Sequence, residues 1–276
     1  MDDIEIIKTI SEGYIELFGN SVTGITPLPR SGSDRRYYRI HDGNKTIIGA
    51  FNANPEENEA FIGFTEHFRT KSLPVPEIFG YLPERFVYYL QDLGDDNLYT
   101  WLHKKPVIAP FDEDTIVLYK KILDKLVLFQ TRGIDGLNLD LCYPHKSFDR
   151  QSMMWDMNYF KYMLLKLLAA PFNERRLEHD FNTLADYLLE TGQDYFLYRD
   201  FQTANVMVVG EEPWFIDYQG GRKVHLSMTL HRCFMMQKYQ WRNQTGNTCS
   251  LIILAISVLK RRWIVRNSGD IIPDSA

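Results

Sequence analysis

The feature that most constrains this chain is a polar triplet set among short apolar runs. Asp200 and Asn205 lie five residues apart in Tyr198-Arg199-Asp200-Phe201-Gln202-Thr203-Ala204-Asn205, and Asp217 follows twelve residues later in Trp214-Phe215-Ile216-Asp217-Tyr218-Gln219-Gly220. The apolar stretches at 195–198, 206–209 and 214–216 read as short strands rather than helices. The triplet therefore falls on loops at strand ends, where folds commonly carry ligand-handling side chains.

Upstream, residues 4–18 place Ile4, Ile6, Ile7, Ile10, Tyr14, Ile15 and Phe18 at helical spacing, and Gly19-Asn20 is a stop. Residues 24–28, 37–40 and 46–51 are short apolar or aromatic stretches split by turn formers, which predicts an antiparallel meander. One separating cluster, Ser31-Gly32-Ser33, is either a simple hairpin turn or a loop that lays backbone N–H groups over phosphates. Pro55, Glu56 and Glu57 suit the first turn of a helix running to residue 70. A strand pair at 77–82 and 85–90 follows, and a polar, glycine-containing link begins at Gln91. Helical patterns then occupy 98–103, 113–131, 151–168 and 173–190. The expectation is an α+β chain of two lobes. The N-terminal one, 1–93, is an antiparallel sheet with one main helix, and the second, 94–223, is mostly helical.

Composition bounds the partners. The chain of 276 residues is 45% hydrophobic, enough for a sizeable core, and its net charge of −5 gives no case for nucleic-acid binding. The acidic start and the absence of a long apolar run predict neither a secretion signal nor a membrane span. Cys142, Cys233 and Cys249 are odd in number and lack Cys-x-x-Cys spacing, so a reducing cytoplasm fits better than a disulfide framework or zinc site.

An acid, an amide five residues on and a second acid closing an apolar run form the set that phosphoryl transfer from a metal-bound nucleotide uses. Asp200 suits the carboxylate beside an attacking hydroxyl. Asn205 and Asp217 are hard oxygen donors of the kind Mg²⁺ takes. With Ser33-Asp34-Arg35-Arg36-Tyr37-Tyr38-Arg39, Pro55-Glu56-Glu57-Asn58, Val75-Pro76-Glu77-Ile78 and Leu90-Gln91-Asp92-Leu93-Gly94-Asp95, these blocks resemble the aminoglycoside phosphotransferase-like branch of the protein-kinase-like superfamily. Within it they are most similar to sugar kinases typified by N-acetylmuramate/N-acetylglucosamine 1-kinase. The resemblance covers about residues 5–223.

It implies a bilobal protein-kinase-like fold and transfer of the γ-phosphate of ATP, with Mg²⁺, to a hydroxyl of a small sugar or amino sugar. Asp200 would be the base, with Asn205 and Asp217 on the metal. The nucleotide would meet Ser31, Gly32, Ser33 and Arg35, with adenine near Gln91 and Leu93. Arg199, Gln202 and Asp156 would serve the acceptor. Asp156 lies in an aromatic and charged segment, 148–161, that also reads as a helix packed by Trp155 and Tyr159. An aminoglycoside or another alcohol is the alternative acceptor, and an inactive nucleotide-binding protein the alternative of another class. Two departures stand out. The strand 46–51 has no Lys to grip the phosphates, leaving Arg35, Arg36 or Lys45 as substitutes, and Tyr198 stands where the family commonly has His. His41, His67, His145 and His179 have no partner spacing and read as surface residues.

Residues 224–276 differ from the rest: seven basic and two acidic side chains give that stretch +5, against −10 for residues 1–223. Regrouping each codon to begin at the third base of its predecessor permits the continuation GAPQYDIASLLYDAKIPM, which resumes the family pattern. The stretch is expected to be a frameshifted translation, leaving apolar surface of the second lobe uncovered.

Overall fold

The computed structural model describes residues 2–30, 34–43, 45–105, 112–143, 145–190 and 194–224. The Ser31-Gly32-Ser33 cluster and residues 225–276 lie outside them. The described residues form two compact units, one within 1–118 and 203–220 and the other within 119–202 and 221–224. The first unit thus takes in residues 94–118 and 203–220 beyond the expected 1–93.

In the first unit, α1 (Asp3–Phe18) starts at Asp2, whose side chain accepts from Glu5 N–H at 2.8 Å, and stops at Gly19 in the left-handed region (φ 69°). Its period-3.6 face, Ile6, Ile10 and Tyr14, is buried against Tyr38, Ile40, Ile47, Phe51, Val87 and Tyr89 of the sheet. That sheet comprises β1 (Gly24–Pro27), β2 (Arg36–His41), β3 (Thr46–Phe51), β4 (Ile78–Leu82) and β5 (Val87–Gln91). Its order is β1-β2-β3-β5-β4, and every neighbouring pair is antiparallel.

Helix α2 (Pro55–Thr70) connects β3 to β4; Asn54 caps it by accepting from Glu57 N–H, and it buries Ala60, Phe61, Phe64 and Phe68. Strand β5 begins two residues later than the sequence suggests. Pro83–Arg85 closes a 3₁₀ turn and Phe86 takes a left-handed conformation (φ 57°), so extended backbone resumes only at Val87. The short helix α3 (Leu98–His103) is held by a reciprocal cap between Asn97 and Thr100. The unit regains the chain at residue 203, where a 3₁₀ turn (Thr203–Asn205) leads into the hairpin β7 (Val206–Val209) and β8 (Glu212–Phe215).

The boundary between the units falls within α4 (Glu113–Thr131). In the second unit this helix buries Ile122, Leu126 and Phe129. Helix α5 (Arg150–Phe160) is capped by Asp149, and Arg150 reaches from it to Asn182 (2.8 Å) and Asp186 on α6 (Glu174–Leu189). The expected helix over 151–168 changes form midway. Lys161–Lys166 is a π-helical turn, and five-residue spacing brings both lysines within 3.2 Å of Glu174.

Strand β6 (Tyr195–Leu197) pairs with β9 (Arg222–Val224), a strand the sequence pattern did not suggest because it is three residues long with a single apolar member. Val224, the first residue of the atypical stretch, is buried with Phe148, Met153, Ala185 and Leu197. Outside that core, Trp155, Tyr159, Leu167, Leu168, Leu184 and Tyr187 are exposed. Among the described residues no helix is long and apolar enough to cross a membrane.

Candidate active site

The twelve-residue interval between Asn205 and Asp217 is explained by the hairpin. Four-residue strands pair from Val206↔Phe215 to Val209↔Glu212 around a turn at Gly210, whose φ of 63° suits glycine. The residues just beyond the stem therefore face each other. Ile216 N–H donates to the Asn205 carbonyl at 3.1 Å, and Asn205 Nδ2 donates to Asp217 Oδ2 at 3.0 Å. Backbone bonds from Phe215 N–H to the Pro74 carbonyl (2.9 Å) and from Val208 N–H to the Asp96 carbonyl (2.8 Å) fix the hairpin within the first unit.

Asp217 takes a left-handed backbone (φ 67°), a conformation that costs roughly 1 kcal/mol for a side-chain-bearing residue and that Asp tolerates better than most. What holds it is the next residue. Tyr218 is fully buried, stacks on Phe61 with ring centroids 5.3 Å apart and shares a 2.5 Å hydrogen bond with Thr65. Burial pushes its phenol well above the usual range, so it remains a neutral packing group.

Arg35, immediately before β2, is the buried cation of this cluster. Its Nη2 donates to Glu57 Oε1 at 2.7 Å, its Nη1 donates to Tyr37 Oη at 3.1 Å, and that same nitrogen lies 3.6 Å from Asp217 Oδ1. Burial opposes its charge, but Tyr88, Tyr37 and Glu57 hold the guanidinium above its ordinary value. Glu57 stands in the first turn of α2 and also accepts from Asn52 Nδ2 at 2.9 Å. Gln219 closes the ring, with Nε2 at 2.7 Å from Asp217 Oδ1 and 3.3 Å from Glu57 Oε1.

Of the three cations that could substitute for the missing strand Lys, only Arg35 joins this cluster. Arg36 is paired to Asp3 of α1, and Lys45 sits 5.6 Å from the Phe79 ring centroid. Gln91 and Leu93 lie at the end of β5. The Gln91 N–H is bonded to the Glu77 carbonyl at 2.9 Å, and Leu93 is buried. Arg39 binds Asp92 in fork fashion (2.6 and 3.0 Å) and reaches Asp95 (2.8 Å), which fixes this link to β2.

The loop bearing Asp200 belongs to the second unit. Tyr198 is packed there by Phe129 and Phe201, at centroid distances of 5.6 and 5.3 Å, so the side chain replacing His anchors the loop by aromatic contact. Asp200 and Gln202 are exposed and Arg199 half-buried. Arg222 on β9 is buried. Its burial, then Arg199, pull its guanidinium below the ordinary value against the opposing pull of Cys142, Asp156 and Asp200. Asp156, exposed on α5, thus shares a charge neighbourhood with Asp200, Arg199 and Arg222.

Mg²⁺ fits the residues of the first unit. Among the described residues no three His, Cys, Asp or Glu side chains form a metal cluster by themselves. Asn205 and Asp217 nonetheless supply two hard oxygen-bearing groups, the small protein share that Mg²⁺ takes when phosphates and waters complete its shell. Gln219 Oε1 is buried with no hydrogen-bond partner among the described residues, an acceptor that water in such a shell would satisfy.

The sequence reading missed Glu57 as a partner, reading it only as a helix-dipole acid, and it missed Gln219 and Arg222. Glu57 had a signal, since an acid three residues after a capping Asn can serve as more than a cap. Arg222 had none.

No protein-family model and no curated protein matches the chain. Solved structures do. A choline kinase from Streptococcus pneumoniae aligns over 98% of this chain and 94% of its own at 13% identity, TM-score 0.55. Aminoglycoside phosphotransferase APH(4)-Ia aligns over 93% and 83% at 14% identity, TM-score 0.56. The aminoglycoside phosphotransferase APH(2")-IIa, solved as a ternary complex with streptomycin and ATP, aligns over 98% and 94% at 13% identity, TM-score 0.54. This is the aminoglycoside-phosphotransferase-like fold. The five-stranded antiparallel sheet with its helices, followed by the helical second unit, carries that likeness.

Proposed function

We propose that the chain is a Mg²⁺- and ATP-dependent phosphotransferase acting on a hydroxyl of a small sugar, with the anomeric hydroxyl of an N-acetylated amino sugar as the first acceptor to examine. The observation that carries the reading is the Arg35–Glu57–Asp217 arrangement. Kinases of this kind need a cation paired with a helix glutamate and an acid for the metal. Here Arg35 is 2.7 Å from Glu57 and 3.6 Å from Asp217, so the cation comes from the start of β2 instead of from β3.

In this reading Asn205 and Asp217 hold Mg²⁺, which neutralises phosphate charge when bound with ATP. Arg35 supplies the phosphate-side cation, with Ser31, Gly32 and Ser33 as the loop over the phosphates and Gln91 and Leu93 beside the adenine. Asp200 accepts the proton of the acceptor hydroxyl, and Arg199, Gln202 and Asp156 orient the acceptor. Residues 1–93 would form the nucleotide lobe and 94–223 the catalytic lobe, in a cytoplasmic enzyme.

An aminoglycoside is the competing acceptor, as in the streptomycin complex above. Two guanidiniums, Arg199 and Arg222, and two carboxylates, Asp156 and Asp200, share that charge neighbourhood, so its charge balances and turnover decides between the two acceptors. A coupled ADP-release assay over N-acetylated amino sugars, aminoglycosides and choline tests the reading, with Asp200→Asn as control. Acceptor-dependent ADP release lost in that variant is expected. Turnover unaffected by it would remove Asp200 from its role, and nucleotide binding with no acceptor-dependent turnover would favour the inactive alternative.

A further inference from the structure

Glu57 is placed by two asparagines with different tasks. Asn54 caps α2 by accepting from Glu57 N–H at 3.2 Å, which sets the main chain. Asn52, the residue after β3, sets the side chain. Its Nδ2 donates to Glu57 Oε2 at 2.9 Å, while Glu57 Oε1 receives Arg35 Nη2 at 2.7 Å and, farther off, Gln219 Nε2 at 3.3 Å. The two carboxylate oxygens are therefore engaged from opposite sides, one by the amide that follows β3 and the other by the guanidinium that precedes β2.

Asn52 is itself held on every polar atom. It is 4% exposed. Its N–H donates to the Phe86 carbonyl at 3.1 Å, its carbonyl accepts from buried Asn58 Nδ2 at 2.7 Å, and its Oδ1 accepts from Asn54 N–H at 3.2 Å. The last bond fixes which way the amide points, because a main-chain N–H can only donate, and the NH₂ end is left to face the accepting carboxylate. A glutamate on the first turn of a helix otherwise spreads over several rotamers, at an entropic cost whenever one is required. With Oε2 tied to Asn52, Oε1 is aimed at Arg35, whose Nη1 then stands 3.6 Å from Asp217 Oδ1. A site that is assembled in only a fraction of molecules loses affinity by that fraction. Building on the phosphate-side role of Arg35 above, we propose that Asn52 is a positioning residue for nucleotide binding, which aims Glu57 so that Arg35 is in place before Mg-ATP arrives.

The test measures binding of Mg²⁺ with a non-hydrolysable ATP analogue to the full chain by titration calorimetry. Asn52→Ala removes the amide. Asn52→Ser keeps a hydroxyl that can accept from the N–H two residues on, so it retains the local turn and loses the reach to Glu57. In each, affinity for the analogue is expected to fall about tenfold, within the coupling found between residues in contact. The KM for ATP should rise by a similar factor, with kcat changed by less than about twofold. In a Glu57→Gln background the same substitutions should change affinity by less than about twofold, because Asn52 then has no carboxylate to aim. Gly49→Ala, which crowds the core of the same sheet away from the cluster, should leave affinity unchanged. Melting curves establish that the variants are folded, and if Asn52→Ala lacks a cooperative transition, Asn52→Ser decides. Unchanged affinity in a folded variant, or an equal loss with and without the Glu57 carboxylate, overturns the positioning role and leaves the proposed phosphotransferase standing. Wild-type protein that binds no analogue overturns both.

Discussion

Replacing Arg35 by Met keeps most of the side-chain volume and deletes the charge, so its effect can be worked out from the cluster. The Arg35 side chain is 2% exposed and its pairing with Glu57 is 2.7 Å long. Removing one partner of a buried pair costs about 3–5 kcal/mol, because the other charge is left uncompensated. Glu57 keeps the Asn52 and Gln219 donors, and its side chain is 25% exposed, so the low end, about 3 kcal/mol, is expected. Arg35→Lys should fall between, since a single ammonium cannot reach Glu57, Tyr37 and the vicinity of Asp217 as the two guanidinium nitrogens do. Urea unfolding reads the loss as a lower midpoint at unchanged slope. A cycle with Glu57→Gln separates the pairwise part from the loss of either residue alone. The same variant should also lose the upward melting shift produced by Mg-ATP. If Arg35→Met unfolds within about 1 kcal/mol of wild type and still responds to nucleotide, neither the burial argument nor the phosphate-side role of Arg35 stands.

Three further outcomes are expected. Gly49→Ala should lower stability by about 1–3 kcal/mol in urea unfolding, because a Cβ on Gly49 would meet Ile10 at 2.6 Å and Ile40 at 2.9 Å in the α1–sheet core. Burial opposes ionisation of Asp92, but hydrogen bonds from Arg39 and Gly94 N–H outweigh it and hold its carboxyl below the ordinary range. The stability it lends is thus present above the unfolded-chain value near pH 4 and lost as pH falls through the lower folded value, and Asp92→Asn should flatten that acid limb in pH-resolved melts. Burial pushes the Cys142 thiol up to about 11, so at pH 8 its alkylation, mapped by mass spectrometry, should run roughly a thousandfold slower than for a fully ionised thiolate and recover on unfolding.

Periodic burial was what the sequence displayed most plainly. Of the residues spaced for one face of α1, Ile6, Ile10 and Tyr14 are buried on the sheet and Ile7 and Phe18 pack beside them, while Ile4 and Ile15 are exposed, and Asn54-Pro55 starts α2 as the composition of its first turn implies. The polar triplet was legible as a set of residue types, but its interior wiring was not. Glu57 and Gln219 are 162 residues apart, and nothing local in either segment reports that their side chains meet. The start of β5 was displaced by Phe86, a left-handed residue of a type that seldom adopts that conformation. The π-helical turn at Lys161–Lys166 presents both lysines to Glu174 of the next helix, a pairing that the apolar periodicity of 151–168 could not show. The α5, π-turn and α6 segments carry exposed apolar side chains, and the expectation of an uncovered surface bears on residues 225–276, which lie outside the described residues.

The hairpin account of Asn205 and Asp217 makes a prediction that motif matching alone does not. If the interval matters only because the stem places position 205 opposite 216 and leaves 217 to turn out, then stem length and register are the controlled quantities and turn length is not. Inserting Asn-Gly between Gly210 and Glu211 lengthens the interval by two residues while leaving all four strand pairs in place, and metal binding should survive. Inserting one Ala between Phe215 and Ile216 changes the interval by less but adds a residue between the last stem pair and the Asn205–Ile216 contact. A one-residue slip sends side chains to the opposite face, so Asp217 should lose Asn205 Nδ2 and the site should lose metal affinity. Melting curves separate this from unfolding, since β8 also depends on the Phe215–Pro74 bond, which lies before the insertion point. Equal loss in both insertions would mean that the interval itself, and not the stem, sets the geometry. Retention in both would mean that Tyr218, packed on Phe61 and bonded to Thr65, positions Asp217 without help from the hairpin.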